Sequence, residues 1–277
     1  MKSPRSILVT GASSGIGAAL ARTYAAPGVA LALGGRDRAR LDGVAESCGA
    51  AGAEVTTAIV DVTDAAALAA WIEAADARAP IELGIVNAGI TGGTGVERKR
   101  ETRQAIERVL AVNLVGAINT IEPLLDAMLP RGRGQIALMS SLAGLRGLPY
   151  SPTYSASKAA LIAYGEALRT KLRKDGMRIS VICPGFVDTP LDDSITGPKP
   201  FRLSADRAAA IIRRGLARDR ARIAFPRALY WGTLLLRFIP TRLVDSVMGK
   251  VAVEVPAPAP PHRVEPSEPP SGAPVQK

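Results

Sequence analysis

Tyr154 and Lys158 stand four residues apart in the stretch "SPTYSASKAALIAYGEAL" (151–168), which reads as a helix. At that spacing a phenol and an ammonium share one helical face. Two explanations compete. An exposed polar pair contributes only about 0.2–0.5 kcal/mol and does nothing else. Alternatively the phenol has a proton to move. A phenol at its ordinary pKa of about 10 is a slow donor and an almost unpopulated base at neutral pH, and a nearby cation favours its ionised form.

The remaining composition narrows the chemistry. The single histidine, His262, lies in a proline-rich stretch, which excludes a Ser-His-Asp triad and a His-ligated metal site. Cys48 and Cys183 form no CxxC pair, so a reducing compartment, the cytoplasm, is expected. The formal net charge of +10 suits acidic partners: nucleic acid, anionic lipid or a phosphorylated cofactor. Aromatic residues make up only 4% and do not alternate with basic runs, which argues against nucleic acid. The basic segment "VERKRETRQ" (96–104) reads as a solvated helix start. Residues 1–5 lead straight into an apolar run, so no signal peptide is expected.

A second chemical motif lies near the N-terminus. In "ILVTGASSGIGAALA" (7–21) Gly11 permits a tight turn, Gly15 lets the backbone approach a phosphate, and Gly17 allows close packing of the helix. The turn residues Ser13, Ser14 and Ile16 then lie beside a helix N-terminus whose free N–H groups suit a pyrophosphate. In "LGGRDRARL" (33–41) Gly35 occupies the place where an NAD site carries an acid, and Arg36 follows. A guanidinium matches a 2′-phosphate, so NADP(H) is favoured over NAD(H). Asp37 is either a competing acid or the N-cap of the next helix.

The elements that position these residues alternate. Residues 6–10, 29–34, 54–60, 81–87, 134–140 and 178–184 read as buried strands, and 15–26, 37–49, 64–78, 101–129 and 152–174 as helices. This rhythm predicts an α/β fold with a doubly wound parallel sheet in three layers. Residues 1–252 form one domain, and 253–277, with eight prolines, a disordered tail. The irregular stretch 188–200 reads as a substrate loop.

The motifs together resemble the short-chain dehydrogenase/reductase family. The matching residues are Thr10-Gly11-xxx-Gly15-x-Gly17, "DVTD" (61–64), "NAG" (87–89), "VNLVG" (112–116), "SS" (140–141), "YSASK" (154–158) and "PGFVDT" (184–189). The resemblance implies a Rossmann-type sheet of seven strands and reversible hydride transfer between NAD(P)(H) and a carbonyl/alcohol pair. It implies Tyr154 as general acid/base, Lys158 as the group that lowers its pKa and bonds the nicotinamide ribose, and Ser141 as the substrate-orienting serine, with Ser140 the weaker candidate. Asn113 would hold a water. Asp61 and Val62 would line the adenine, and Asn87, Ala88 and Gly89 the middle of the cofactor. Pro184, Gly185, Val187 and Thr189 would hold its carboxamide end. Physical chemistry points the same way: a carbonyl receiving hydride needs a proton, and without a core histidine the tyrosine is the remaining donor.

The substrate is expected to be lipophilic, since Leu142, Leu145, Leu148, Pro149, Tyr150 and the loop after Phe186 suggest an apolar pocket. A cofactor-binding regulator or scaffold without turnover is the alternative, but it would not need Asn113, Ser141, Tyr154 and Lys158 together. A homodimer or homotetramer is expected, with the helices near 101–129 and 152–174 carrying surplus apolar surface. Residues 226–248 read as a pocket cover or subunit contact, with peripheral membrane contact as the alternative.

Overall fold

The first strands are apolar on both faces because helices cover both faces of the sheet. In the computed structural model, which describes residues 3–95, 100–236, 238–248 and 254–258, these are β1 (Ser6–Thr10), β2 (Ala30–Gly35), β3 (Glu54–Ile59), β4 (Leu83–Val86), β5 (Gly134–Met139) and β6 (Met177–Pro184). A minor parallel pair, β7 (Val187–Asp188) and β8 (Leu203–Ser204), follows, and β9 (Arg222–Phe225) completes the main sheet. That sheet has seven parallel strands in the order β3-β2-β1-β4-β5-β6-β9.

The helices between them are α1 (Gly15–Tyr24), α2 (Arg38–Ala50), α3 (Ala65–Arg78), α4 (Arg103–Leu110), α5 (Gly116–Met128), α6 (Pro152–Leu172), α7 (Pro190–Asp193), α8 (Ala205–Ala217), α9 (Arg227–Leu235) and α10 (Thr241–Met248). Side-chain caps start several of them: Asp37 accepts the Arg40 N–H at 3.0 Å, and Asp64 the Ala67 N–H at 3.0 Å. Leu20 of α1, Leu41 of α2 and Ile212 of α8 pack on one side of the sheet. Leu68 of α3, Ile121 and Leu124 of α5 and Leu161 of α6 pack on the other. The fold is the expected Rossmann-like, three-layer α/β sandwich. Strand order reverses between β1 and β4, so the crevice for ligands opens at the carboxyl ends of those strands.

The structure differs from the sequence expectations in several places. The helix expected over 101–129 contains a π turn, Ala111–Val115, between α4 and α5. Arg103–Arg131 is long and apolar enough to cross a membrane by composition, but Ile121, Leu124, Leu125 and Met128 are packed into the core. The sequence places the seventh strand inside one apolar run, 223–240, because no polar break separates the four residues of β9 from α9. On the helices near 101–129 and 152–174, Ile106, Leu110, Leu114 and Ile118 are half-buried. Among the described residues only Val115 is an exposed large hydrophobic there. Exposed apolar side chains collect instead on the C-terminal helices and their connection: Trp231, Leu235, Phe238, Ile239 and Leu243. Arg237 and residues 96–99 lie outside the described residues. So does most of the stretch expected as a disordered tail, but its residues 254–258 are described and depart from that expectation. Val255 is buried, and Glu254 pairs with Thr196.

Candidate active site

The glycine turn between β1 and α1 is built by close approach. Gly11 has φ +66°, and a Cβ there would lie 2.9 Å from the Ala88 Cα. A Cβ on Gly17 would lie 2.3 Å from the Gly11 carbonyl oxygen. The Asn87 amide fastens the turn to the end of β4, donating at 3.1 Å to the carbonyls of Thr10 and Gly11. Ser14 precedes α1 in extended conformation and makes no side-chain cap bond, so the first amides of α1 face the cavity lined by Ser13, Ser14, Gly15 and Ile16. Gly15, with φ +55°, lies against Thr189, where a Cβ would come within 3.0 Å of the threonine methyl. A bare helix N-terminus behind such a turn fits a pyrophosphate.

The cavity continues past Gly35 to Arg36, Asp61 and Val62. Asp37 is engaged as the cap of α2 and in an ion pair of 2.7 Å with Arg40. It caps the helix while still lining the cavity. Arg36 stands 3.8 Å from the Asp61 carboxylate. Arg108, on α4, is a neighbour absent from the sequence reading. Burial lowers its pKa, and the like charge of Arg36 adds to that, with Asp61 opposing. The Arg108 Nε is buried without a hydrogen-bond partner. The sequence held no signal for it beyond basic character around 96–108.

At the other end of the same cavity, α6 presents Tyr154 and Lys158. The phenol is half-buried and the lysine buried. Lys158 donates to the Met139 carbonyl at 2.9 Å, and its Nζ lies 5.7 Å from the centre of the Tyr154 ring. Burial pulls the ammonium down to about 8, with the Cys183 sulfur opposing. The Tyr154 phenol is pushed up by burial, with the Ser141 hydroxyl opposing and the Asp192 carboxylate adding. In the protein without its dinucleotide, desolvation of the cleft is the largest influence on the phenol. The two serines diverge. Ser140 donates to the Lys158 carbonyl at 2.7 Å and is buried, whereas Ser141 accepts the Ala143 N–H at 3.1 Å beside the phenol. Pro184, Gly185, Val187, Asn87, Ala88 and Gly89 also line the cavity. Gly17 and Asn113 stand behind the wall. The Asn113 side chain bonds both polar groups of Ile90, accepting from its N–H at 2.8 Å and donating to its carbonyl at 2.9 Å, and donates to Ser157 at 3.3 Å. Its side-chain amide therefore clasps the loop after β4.

The sequence matches the short chain dehydrogenase family over residues 5–199. The chain belongs to that family. It is 38% identical over 248 residues to an uncharacterized oxidoreductase of Myxococcus xanthus, covering 89% of this chain and 97% of the relative. It is 33% identical over 211 residues to the ketoacyl reductase HetN of a Nostoc species, covering 74% and 72%. Among solved structures, an alcohol dehydrogenase from the archaeon Thermococcus sibiricus complexed with 5-hydroxy-NADP superposes with a TM-score of 0.69 at 29% identity, covering 79% of this chain and 94% of that one. As a short chain dehydrogenase this protein is an oxidoreductase that takes a nucleotide cofactor and a small-molecule substrate.

The remaining walls of this dehydrogenase's cavity, whose volume is about 1100 Å³, are mainly apolar, with Arg146, Ser151, Asp192 and Lys199 among them. Leu142, Leu148, Tyr150, Phe186, Leu191 and Ile195 face it, and Leu229, Thr233 and Leu236 of the α9 region close one side. Leu145, expected in the pocket, is buried instead in the small core that Leu142 and Ile162 share. Asp192 sits at the margin, its carboxylate 2.9 Å from the Arg202 Nε and 3.6 Å from the Lys199 ammonium.

Proposed function

We propose that this protein is an NADP(H)-dependent carbonyl reductase or alcohol dehydrogenase acting on a lipophilic substrate, with Tyr154 as its acid/base. One observation carries the reading. Tyr154, Lys158 and Ser141 converge on the same cavity that begins at the open N-terminus of α1, and the space beside them is mainly apolar. The dinucleotide, when bound, supplies or takes up the hydride. The Ser141 hydroxyl then steadies the carbonyl oxygen, and the Tyr154 hydroxyl gives that oxygen its proton as negative charge builds on it. In the reverse direction the phenolate removes the alcohol proton. Lys158, protonated and one helical turn away, offsets the rise in the phenol's pKa caused by burial. Asn113 is a positioning residue: it fixes Ile90 and so the backbone of Gly89, beside which the Lys158 ammonium rests.

The preference for NADP(H) is supported by Arg36 and Arg108 beside the Asp61 carboxylate, the neighbouring Asp37 being paired with Arg40. Two cations against one anion favour a doubly charged phosphate. A reducing, cytoplasmic setting is supported by Cys48 and Cys183, both free and fully buried. The test is to supply NADPH or NADH with a panel of straight-chain ketones and β-ketoacyl thioesters and follow loss of the reduced-nicotinamide absorbance. Turnover with NADPH and with the apolar members of the panel is expected. Absence of turnover with every member would reject the reading.

A further inference from the structure

The segment after α10 contains two X-Pro steps, Val255-Pro256 and Ala257-Pro258. The residue before a proline is held extended, and the proline itself has a fixed φ. Such a stretch loses little entropy when it is laid along a surface. In this chain it is laid beside the cavity, which Val255 lines. The Gly93 N–H donates to the Pro256 carbonyl at 3.1 Å, and the Gly95 N–H to the Val255 carbonyl at 3.0 Å. From the opposite rim the Thr196 N–H donates to the Glu254 carbonyl at 3.0 Å, in an antiparallel bridge. The segment therefore ties the loop after β4 to the loop after α7.

The fit is close. A Cβ on Gly93 would lie 2.5 Å from the Val255 Cβ and 2.5 Å from the Tyr150 carbonyl oxygen. Only glycine lets the rim lie between the segment and the loop after β5. Val255 is 2% exposed, and its side chain forms part of the cavity wall together with Tyr150. A valine held on both sides by backbone hydrogen bonds forms a fixed boundary to the apolar end.

We propose that residues 254–258 are a strap that completes the substrate end of the cavity, and that Val255 is a specificity-determining contact setting the length of apolar chain the site accepts. The proposal rests on the reading of that end as the substrate site, and its test does not require turnover. Three chains are compared: full length, ending after 258, and ending after 253. Amide exchange is followed at Gly93, Gly95 and Thr196, and affinity for the neutral fluorophore N-phenyl-1-naphthylamine is measured in the presence of NADPH. The chain ending after 258 should match full length. The chain ending after 253 should lose protection at the three amides by about tenfold or more. It should also bind the fluorophore about tenfold more weakly, having lost one apolar wall.

Full-length Val255→Trp keeps the strap and fills the space behind it, so it should retain amide protection while losing fluorophore affinity. Where ketones are turned over, it should raise KM for 2-undecanone more than for 2-butanone. Equal protection in the two truncated chains would overturn the strap. Unchanged fluorophore affinity in Val255→Trp, or no binding to the full chain, would overturn the role of Val255. Failure of every ketone to turn over would count against the reductase reading alone, since exchange and fluorophore binding still decide the strap.

Discussion

The ammonium of Lys158 is hydrogen-bonded at 2.9 Å to the carbonyl of Met139, the last residue of β5. The bond anchors the cation at the strand end that leads into Ser140 and Ser141, one helical turn from Tyr154. It also explains how a lysine can be buried at all: a carbonyl at a strand end accepts one of its protons. With its pKa pulled down to about 8, Lys158 is still about nine-tenths charged at pH 7. The cation therefore persists where a phenol has to be made acidic.

The first prediction concerns the phenol. Tyr154→Phe keeps the ring and removes the proton that the carbonyl oxygen needs. The rate constant for ketone reduction should fall by about 10²–10⁴-fold, while NADPH affinity, read by cofactor fluorescence, stays within about twofold of the parent. Turnover close to that of the parent would remove Tyr154 from the mechanism.

Lys158 yields a pH prediction that needs no substrate. Its folded pKa, about 8, lies below the ordinary lysine value of 10.5. Below pH 8 both states hold the proton, and the cost of burying the charge is felt in full. Between 8 and 10.5 the unfolded chain binds more protons than the folded one, so stability rises with pH. The rise attributable to this residue amounts to about 3 kcal/mol across that window. Urea unfolding of the parent and of Lys158→Met at several pH values measures it. The variant should lack the rise. Parallel profiles would mean that the lysine is charged throughout.

Much of this fold was legible because most strands of the central sheet are short, largely apolar, β-branched-rich runs and helix-length Ala- and Leu-rich segments lie between them. The glycine turn was legible because only one backbone arrangement needs Gly11, Gly15 and Gly17 at that spacing. Three features were not. β9 has four residues and runs directly into Pro226, so no polar residue marks its end. The π turn at Ala111–Val115 contains Asn113, whose amide bonds Ile90, a contact 23 residues away in sequence that no local pattern records. The packing of Val255 depends on the absence of a side chain at Gly93, and that of Pro258 on its absence at Gly92, which no local pattern near residue 255 records.

Cofactor choice rests on Arg36, whose guanidinium already has the Asp61 carboxylate at 3.8 Å. A 2′-phosphate would compete for it and recruit Arg108 as well. Arg36→Ala should weaken NADPH binding by about 1.5–3 kcal/mol, the value of a charged hydrogen bond, and leave NADH nearly unchanged. Because Arg36 is partly exposed, raising salt should narrow the gap between the two cofactors in the parent protein. Arg108→Met should act in the same direction with a smaller effect. Fluorescence titration at two ionic strengths checks all three, and equal affinities of the parent for the two cofactors would sink the assignment.

The last prediction separates a positioning residue from one that holds water. Asn113 is fully buried, and its amide satisfies the N–H and the carbonyl of Ile90 at 2.8 and 2.9 Å. A Cβ on Gly89 would lie 3.2 Å from the Asn113 oxygen and 3.4 Å from the Lys158 nitrogen, so the clasp and the lysine bear on the same short piece of backbone. Asn113→Ala leaves two buried backbone groups without partners and should cost about 1–3 kcal/mol each in unfolding free energy where water cannot reach them. Loosening of residues 88–90 should also move Lys158 and lower kcat, with a smaller change in substrate KM. Asn113→Asp provides the discriminating comparison. It keeps the acceptor for the Ile90 N–H but sets a carboxylate against the Ile90 carbonyl, so in denaturant unfolding it should be at least as unstable as the alanine variant. A proton-relay role alone would leave stability near that of the parent in both variants, and that outcome would overturn the positioning account.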